Sequence, residues 1–311
     1  MAKEVSEVIL TAKELEVHFG ENVILDKASL SVHEGDRIGL IGRNGAGKST
    51  FLKIISGLLL PDTGEVTKKK GLNVSFLSQE FTLDENKTVY ENILSGAQNE
   101  LELLNKYDNT PLDSPDKHLL EEIITRRDSW NLDKRIDYLI KTLDAPGKAN
   151  KITLLSGGEK RRIAMCRALI SNPDLLILDE PTNHLDTESI EWIEEFLASY
   201  SGTCIFVTHD RYFLDRIANR IVELSSGTFF SHQGNYTEYL INKSERQRIQ
   251  ETEERKRQSF LKRELDWMRT GPKARRTKAK SRIDKFYEVK SAGNNEVDLE
   301  VDLIIPGRKV R

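Results

Sequence analysis

Three short stretches carry residue types that handle phosphate, a divalent cation and water. Gly42-Arg43-Asn44-Gly45-Ala46-Gly47-Lys48-Ser49-Thr50 fits the phosphate-loop pattern, with Gly42, Gly47, Lys48 and Ser49 at its fixed positions. Its glycines let successive backbone N–H groups turn inward around phosphate oxygens. A helix starting near Lys48 adds the positive end of its dipole. Lys48 can reach the outer phosphates, and Ser49 offers a hydroxyl to Mg²⁺, a cation that keeps several waters and needs few protein ligands. Leu175-Leu176-Ile177-Leu178-Asp179-Glu180 is an apolar run that ends in two adjacent acids. Asp179 is placed to hold Mg²⁺, and Glu180 to polarise an attacking water as general base. Ser156-Gly157-Gly158 opens a further helical run and could donate hydrogen bonds to a γ-phosphate. Taken alone it is only a helix cap.

Outside these stretches, Gln79 and His209 each follow a short apolar run, Leu72–Leu77 and Cys204–Val207. Gln79 could ligate Mg²⁺ and sense the γ-phosphate. His209, at the carboxyl end of a strand, could contact that phosphate and orient Glu180. Phe19, before the turn at Gly20, either stacks on an adenine ring or fills a core.

The elements that must position these groups follow from periodicity. Alternating runs at 8–11, 15–19 and 28–32 predict short strands, as do 64–67 and 72–77. Arg37–Ile41 predicts a buried strand aimed at the phosphate loop. From residue 88 the pattern turns helical and polar, with a break at Asn109–Pro115 and helices expected over about 117–127 and 131–143. Leu132, Ile136, Leu139, Ile140 and Leu143 give the last one an apolar face. From Gly234 a long helix runs without Gly or Pro to about Thr270. Gly271-Pro272 breaks it, and a second helix is expected at about 273–289, the two forming an antiparallel hairpin.

Charge is uneven. The whole chain of 311 residues has a net charge of −3, yet residues 243–285 hold 16 Lys/Arg against 7 Asp/Glu. A basic segment on an acidic body suits a polyanionic partner, and equally suits a solvated helix laced with ion pairs. Lys273, Arg275, Arg276, Lys278, Lys280 and Arg282 are the candidate phosphate contacts. Cys166 and Cys204 lie in apolar surroundings without a partner-like spacing and are read as reduced core residues. No apolar run approaches membrane-spanning length, and the first residues lack a signal-peptide core, so the expectation is a soluble cytoplasmic protein.

The ordered set Gly42–Thr50, Gln79, Ser156–Glu159, Leu175–Glu180, Asn183–Asp186 and His209 resembles the ATP-binding cassette ATPases. The resemblance implies an α/β fold: a phosphate-loop core sheet with an antiparallel β subdomain and a helical subdomain, using ATP and Mg²⁺. It also implies that two cassettes face each other, so that Ser156, Gly157, Gly158 and Glu159 serve the opposite cassette's nucleotide. Asp179–Asp186 and Thr208–Asp215 look like the ABC-F class, twin-cassette proteins that work on ribosomes. The string Trp267–Ala279 looks like the linker of that class, most like its Uup branch. The domains expected are a cassette at 1–235 with a helical insert at about 88–170, a basic hairpin linker at 236–290, and at 291–311 the lead-in to a second cassette. On this reading the chain is an N-terminal portion of a longer protein and hydrolyses ATP slowly alone. A ribosomal partner is expected; branched DNA is the alternative, and the ATPase subunit of a transporter a third.

Overall fold

The structure, a computed structural model, describes residues 6–111, 114–183, 185, 187–269 and 280–291. They fall into two compact units, 1–240 and 241–311. In chain order the first unit holds β1 (Val8–Phe19), β2 (Asn22–His33), β3 (Arg37–Ile41), α1 (Lys48–Ser56), β4 (Thr63–Lys68), β5 (Val74–Leu77), α2 (Val89–Leu94), α3 (Gln98–Asn109), α4 (Pro115–Arg126) and α5 (Leu132–Thr142). It continues with α6 (Gly157–Leu169), β6 (Leu175–Asp179), α7 (Thr187–Ser199), β7 (Thr203–Val207), α8 (Arg211–Ile217), β8 (Arg220–Ser225) and β9 (Thr228–Gln233).

The two short strands expected at 8–11 and 15–19 are one strand. β1 runs through both, with a register shift between Ala12 and Leu15 where Glu14 takes φ 48°. A bulge of this kind interrupts the period-two pattern without ending the pairing. β1 pairs antiparallel with β2 and β4 in a three-stranded sheet.

The main sheet has the order β5-β6-β7-β3-β8-β9. Its first five members are parallel, and β9 returns antiparallel on β8. Side chains alternate between its faces. Leu175, Ile177, Ile205, Val207, Ile38 and Leu40 pack into one core with α1 and the small sheet. Leu176, Leu178, Cys204, Phe206 and Ile221 pack into the other, shared with α6 and α8. Ile93 of α2 and Ile136 and Leu139 of α5 belong to that second core, so part of the helical insert is built into the sheet's packing. Both cysteines are buried and free, and burial pushes each thiol up to about 12.

The parity of β6 has a direct consequence for chemistry. Asp179 shares its face with Leu175 and Ile177, the face that α1 covers. Its carboxylate is thereby delivered to the first turn of α1, where Ser49 stands.

The second unit is described by α9 (Tyr236–Arg269), beyond residue 240, and α10 (Lys280–Ser291). Arg257 Nε donates to Val289 O at 3.1 Å, and Arg282 pairs with Glu264. Advance along α9 is matched by retreat along α10, so the helices are antiparallel, as the hairpin expectation required. Phe286 and Glu264 are buried between them, and Arg282 lies 4.3 Å over the Trp267 ring. The proposed break at Gly271-Pro272 and the lead-in beyond Ser291 lie outside the described residues.

Candidate functional site: a nucleotide site at the carboxyl ends of four parallel strands

The predicted groups converge because parallel strands end at the same edge of a sheet. β3 leads into Gly42, β5 into Gln79, β6 into Glu180 and β7 into His209. Sequence reasoning placed each at a strand end; the pairing of β5, β6, β7 and β3 puts those ends side by side.

The phosphate loop turns as its composition demands. Gly45 and Gly47 take φ 78° and 100°. A Cβ on Gly47 would also come within 2.3 Å of Ile24 Cγ2, so the position is closed to any side chain on both counts. Ala46 N donates to Arg43 O at 3.1 Å, and Phe51 N to Gly47 O at 2.9 Å, which starts α1. Lys48 Nζ donates to Gly42 O at 2.8 Å and Arg43 O at 3.0 Å. Burial pulls the Lys48 ammonium below its usual range, while Glu180 and Asp179 act to raise it. Asn44 and Thr50 occupy the loop and the first turn of α1 as expected.

Facing the loop are the two acids. The Ser49 hydroxyl faces the Asp179 carboxylate and acts to lower its pKa, so two of the groups assigned to Mg²⁺ are neighbours. Asp179 and Glu180 are 4% and 5% exposed, and burial raises both carboxyls above their usual range. Asp179 Oδ1 and Glu180 Oε2 are buried without a hydrogen-bond partner. Buried carboxylate oxygens left this way are a place for a cation. Among the described residues no three His, Cys, Asp or Glu form a metal cluster on their own. The arrangement therefore fits Mg²⁺ held by few protein groups, phosphate oxygens and water. His209 Nε2 stands 3.4 Å from Glu180 Oε1, so the histidine does meet the proposed base. Glu180 itself takes φ 50°, left-handed backbone in a bulky residue. Its N–H donates to Val207 O at 2.9 Å, and Thr182 and Thr208 hydroxyls bond at 2.9 Å just beyond.

Gln79 is exposed beyond β5. Phe19 is 56% exposed, which removes the core alternative and leaves its ring free to stack. Its pairing with Asn22 carries the β1–β2 turn toward Ile24, which touches Gly47.

Ser156 caps α6. It accepts from Glu159 N at 3.3 Å, while Glu159 Oε2 accepts from Ser156 N and Oγ at 2.8 Å each. These bonds hold the Glu159 carboxyl below its usual range. Gly157 and Gly158 have open space where a Cβ would lie. The cap and an exposed donor surface thus coexist at one helix end. Ser156→Ala is expected to destabilise the chain by about 1 kcal/mol, read from the urea midpoint, with ATP affinity unchanged. A loss of ATP affinity would instead place Ser156 in its own chain's site.

One buried polar residue escaped sequence reasoning. Arg161, in the helical run that follows Ser156, is 5% exposed and reaches Glu180 O and Gln79 O. A signal existed: Arg161 falls at helical spacing with the buried Met165 and Leu169, so a guanidinium sits on a core-facing stripe.

The basic segment divides differently. Lys273, Arg275, Arg276 and Lys278 lie outside the described residues, and Lys280 opens α10 with its side chain outside them. Arg282 is engaged within its unit, Nε and Nη2 donating to Glu264 Oε2 at 2.5 Å and Oε1 at 2.8 Å. That pairing leaves its charge less available to a phosphate than sequence alone suggested.

Comparison with known proteins agrees with this geometry. The ABC transporter family model matches residues 25–183, and a further model of the same description matches 222–301. The Energy-dependent translational throttle protein EttA of Mycobacterium tuberculosis is 41% identical over 96% of this chain and 55% of its own length. That of Escherichia coli K12 is 39% identical over 91% of this chain and 53% of its own. The uncharacterized ABC transporter ATP-binding protein YfmR of Bacillus subtilis is 40% identical over 97% and 50%. The chain thus spans about half the length of the curated relatives it matches. Among solved structures, the dimeric cassette MJ0796 bound to ADP and Pi superposes with a TM-score of 0.54 at 25% identity, over 72% of this chain and 98% of that one. No helix among the described residues is long and apolar enough to cross a membrane. With its phosphate loop, acid pair and capped helix in one sheet-edge arrangement, this chain belongs to the ATP-binding cassette family.

Proposed function

We propose that this chain is an ATP-hydrolysing cassette with its following linker, in a cytoplasmic ABC-F protein that acts on the ribosome as a translation factor. The observation that supports it most is coverage. The solved transporter cassette matches 72% of the chain, whereas the throttle protein of M. tuberculosis matches 96%, through the α9–α10 hairpin. A transporter cassette has no need of that hairpin.

In this reading the backbone N–H groups of Gly42–Thr50 and Lys48 hold the phosphates of ATP, with Phe19 against its adenine. Ser49, Asp179 and Gln79 hold Mg²⁺, which when bound neutralises charge on the phosphates. Glu180 takes the proton of the attacking water, with His209 orienting it. Ser156–Glu159 faces the nucleotide of a second cassette, in a longer chain or another copy, so a single cassette turns over slowly. The basic residues of the linker meet ribosomal RNA phosphates. The cassette would comprise residues 1–235 with its insert at about 88–170, the linker 236–290, and 291–311 would lead into a second cassette.

Co-sedimentation with ribosomes tests this, using Glu180→Gln with ATP and with ADP, in this chain and in a polypeptide extended by a second cassette. ATP-dependent comigration is expected, weakening as salt rises. Ribosomes left unbound while branched DNA is bound would overturn the ribosomal assignment in favour of the Uup-like one. Recovery only with a membrane permease would favour the transporter.

A further inference from the structure

Arg161 stands on α6, five residues beyond the Ser156 cap, and about 7.5 Å along the axis from it. Its guanidinium is almost wholly buried and touches two separate segments of the site, 79–81 and 179–180. Nη2 donates to Glu180 O at 2.5 Å and lies 3.5 Å from Asp179 O. Nη1 donates to Gln79 O at 3.2 Å. The Phe81 ring, two residues on, lies 5.5 Å from the guanidinium carbon. Nε is buried without a partner.

These bonds go to main chain, at places where main chain decides where a reacting group points. Glu180 holds φ 50°, a conformation a glutamate keeps only when its surroundings over-determine it. Its N–H is fixed by Val207 O, and its carbonyl accepts from both Arg161 and Asn183 N, the latter at 3.3 Å. Released from Arg161, that carbonyl is held by the Asn183 amide alone, and the backbone that carries the carboxylate loses one of its two restraints there. The Gln79 segment has an exposed side chain and is anchored through its carbonyl to the same guanidinium. A planar fork of donors can span two carbonyls from different loops; a lysine ammonium, a point charge on a flexible stem, cannot hold that geometry.

We infer that Arg161 is a positioning residue that locks the backbone of Glu180 and Gln79 to the helix carrying Ser156–Gly158, so that a displacement of that helix reaches this chain's own water-activating site. The inference rests on the ATPase reading above. It supplies a route between composite sites: the helix end that meets the opposite nucleotide and the arm that sets the local base are one rigid element. His184 and Asp186 lie outside the described residues.

The test compares Arg161→Met and Arg161→Lys with the unaltered chain by amide hydrogen exchange and by binding of a fluorescent ATP analogue. With Arg161→Met, exchange at residues 79–83 and 180–183, the Asn183 amide above all, should rise about tenfold or more, while 43–52 stays protected and nucleotide affinity holds within about twofold. In a polypeptide carrying a second cassette, kcat should fall about tenfold or more with KM within about twofold, and Arg161→Lys should recover part of that loss. Unchanged exchange at 79–83 and 180–183 would overturn the inference. So would faster exchange throughout residues 6–240 together with lost nucleotide affinity, which would make Arg161 a prop of the fold. If the unaltered chain bound no nucleotide, the phosphate-loop reading would fail, and the exchange comparison would still judge Arg161.

Discussion

Alanine in place of Lys48 is expected to weaken ATP binding by about 100-fold or more, the scale of losing one partner from a desolvated charge contact. The structure makes the argument sharper than the motif does. Lys48 Nζ is held over the loop by Gly42 O and Arg43 O, so it is already aimed before nucleotide arrives. It is also a cation placed near Asp179 and Glu180, both of which act to raise its pKa. Alanine removes the phosphate contact and leaves the acid pair with less compensating charge. Lys48→Arg should also bind poorly, because a guanidinium is too broad to sit between the two carbonyls. Calorimetric titration with ATP, with circular dichroism as control for folding, decides the matter. Native affinity in a folded Lys48→Ala chain would remove the phosphate-loop assignment.

Glu180→Gln should separate binding from chemistry. The amide keeps the side-chain volume and the backbone contacts of residue 180, including those to Val207 O and Arg161. It cannot accept the proton of an attacking water. The turnover number should fall by about 10²–10⁴-fold, the usual worth of a positioned general base, while ATP affinity is retained. Steady-state phosphate release beside nucleotide titration reads both. Asp179→Asn should behave differently, weakening the response to Mg²⁺ because Asp179 is the acid beside Ser49. Turnover at the native rate in Glu180→Gln would transfer the base role elsewhere, and His209, 3.4 Å from that carboxylate, would be tested next.

Much of this site was legible in the residue string because its parts are local. A glycine-rich loop followed by Lys-Ser reads as a phosphate cradle wherever a strand precedes it and a helix follows. Asp179 and Glu180 could be paired with roles because an apolar run of strand length ends on them. Ser156 could be seen as a cap three residues before Glu159. In each case the relevant partners are chain neighbours, and backbone geometry carries the consequence. The fold class followed from the same local patterns, taken in order and matched to a family.

What escaped that reading depends on residues far apart in the chain. The insertion of β7 between β6 and β3 sets which strand ends adjoin, and no periodicity states it. The face of β6 that receives α1 sends Asp179 to Ser49. Phe19 could be a core residue or an exposed ring until the β1–β2 turn left it 56% open. Arg282 looked like one more free cation until Glu264 of the other helix closed on it. Arg161 is the plainest case: its partners lie 82 residues before it and 19 after it, on two different strand ends. A buried guanidinium is stable only where carbonyls from separate segments converge on it, and that convergence exists only once the sheet has assembled.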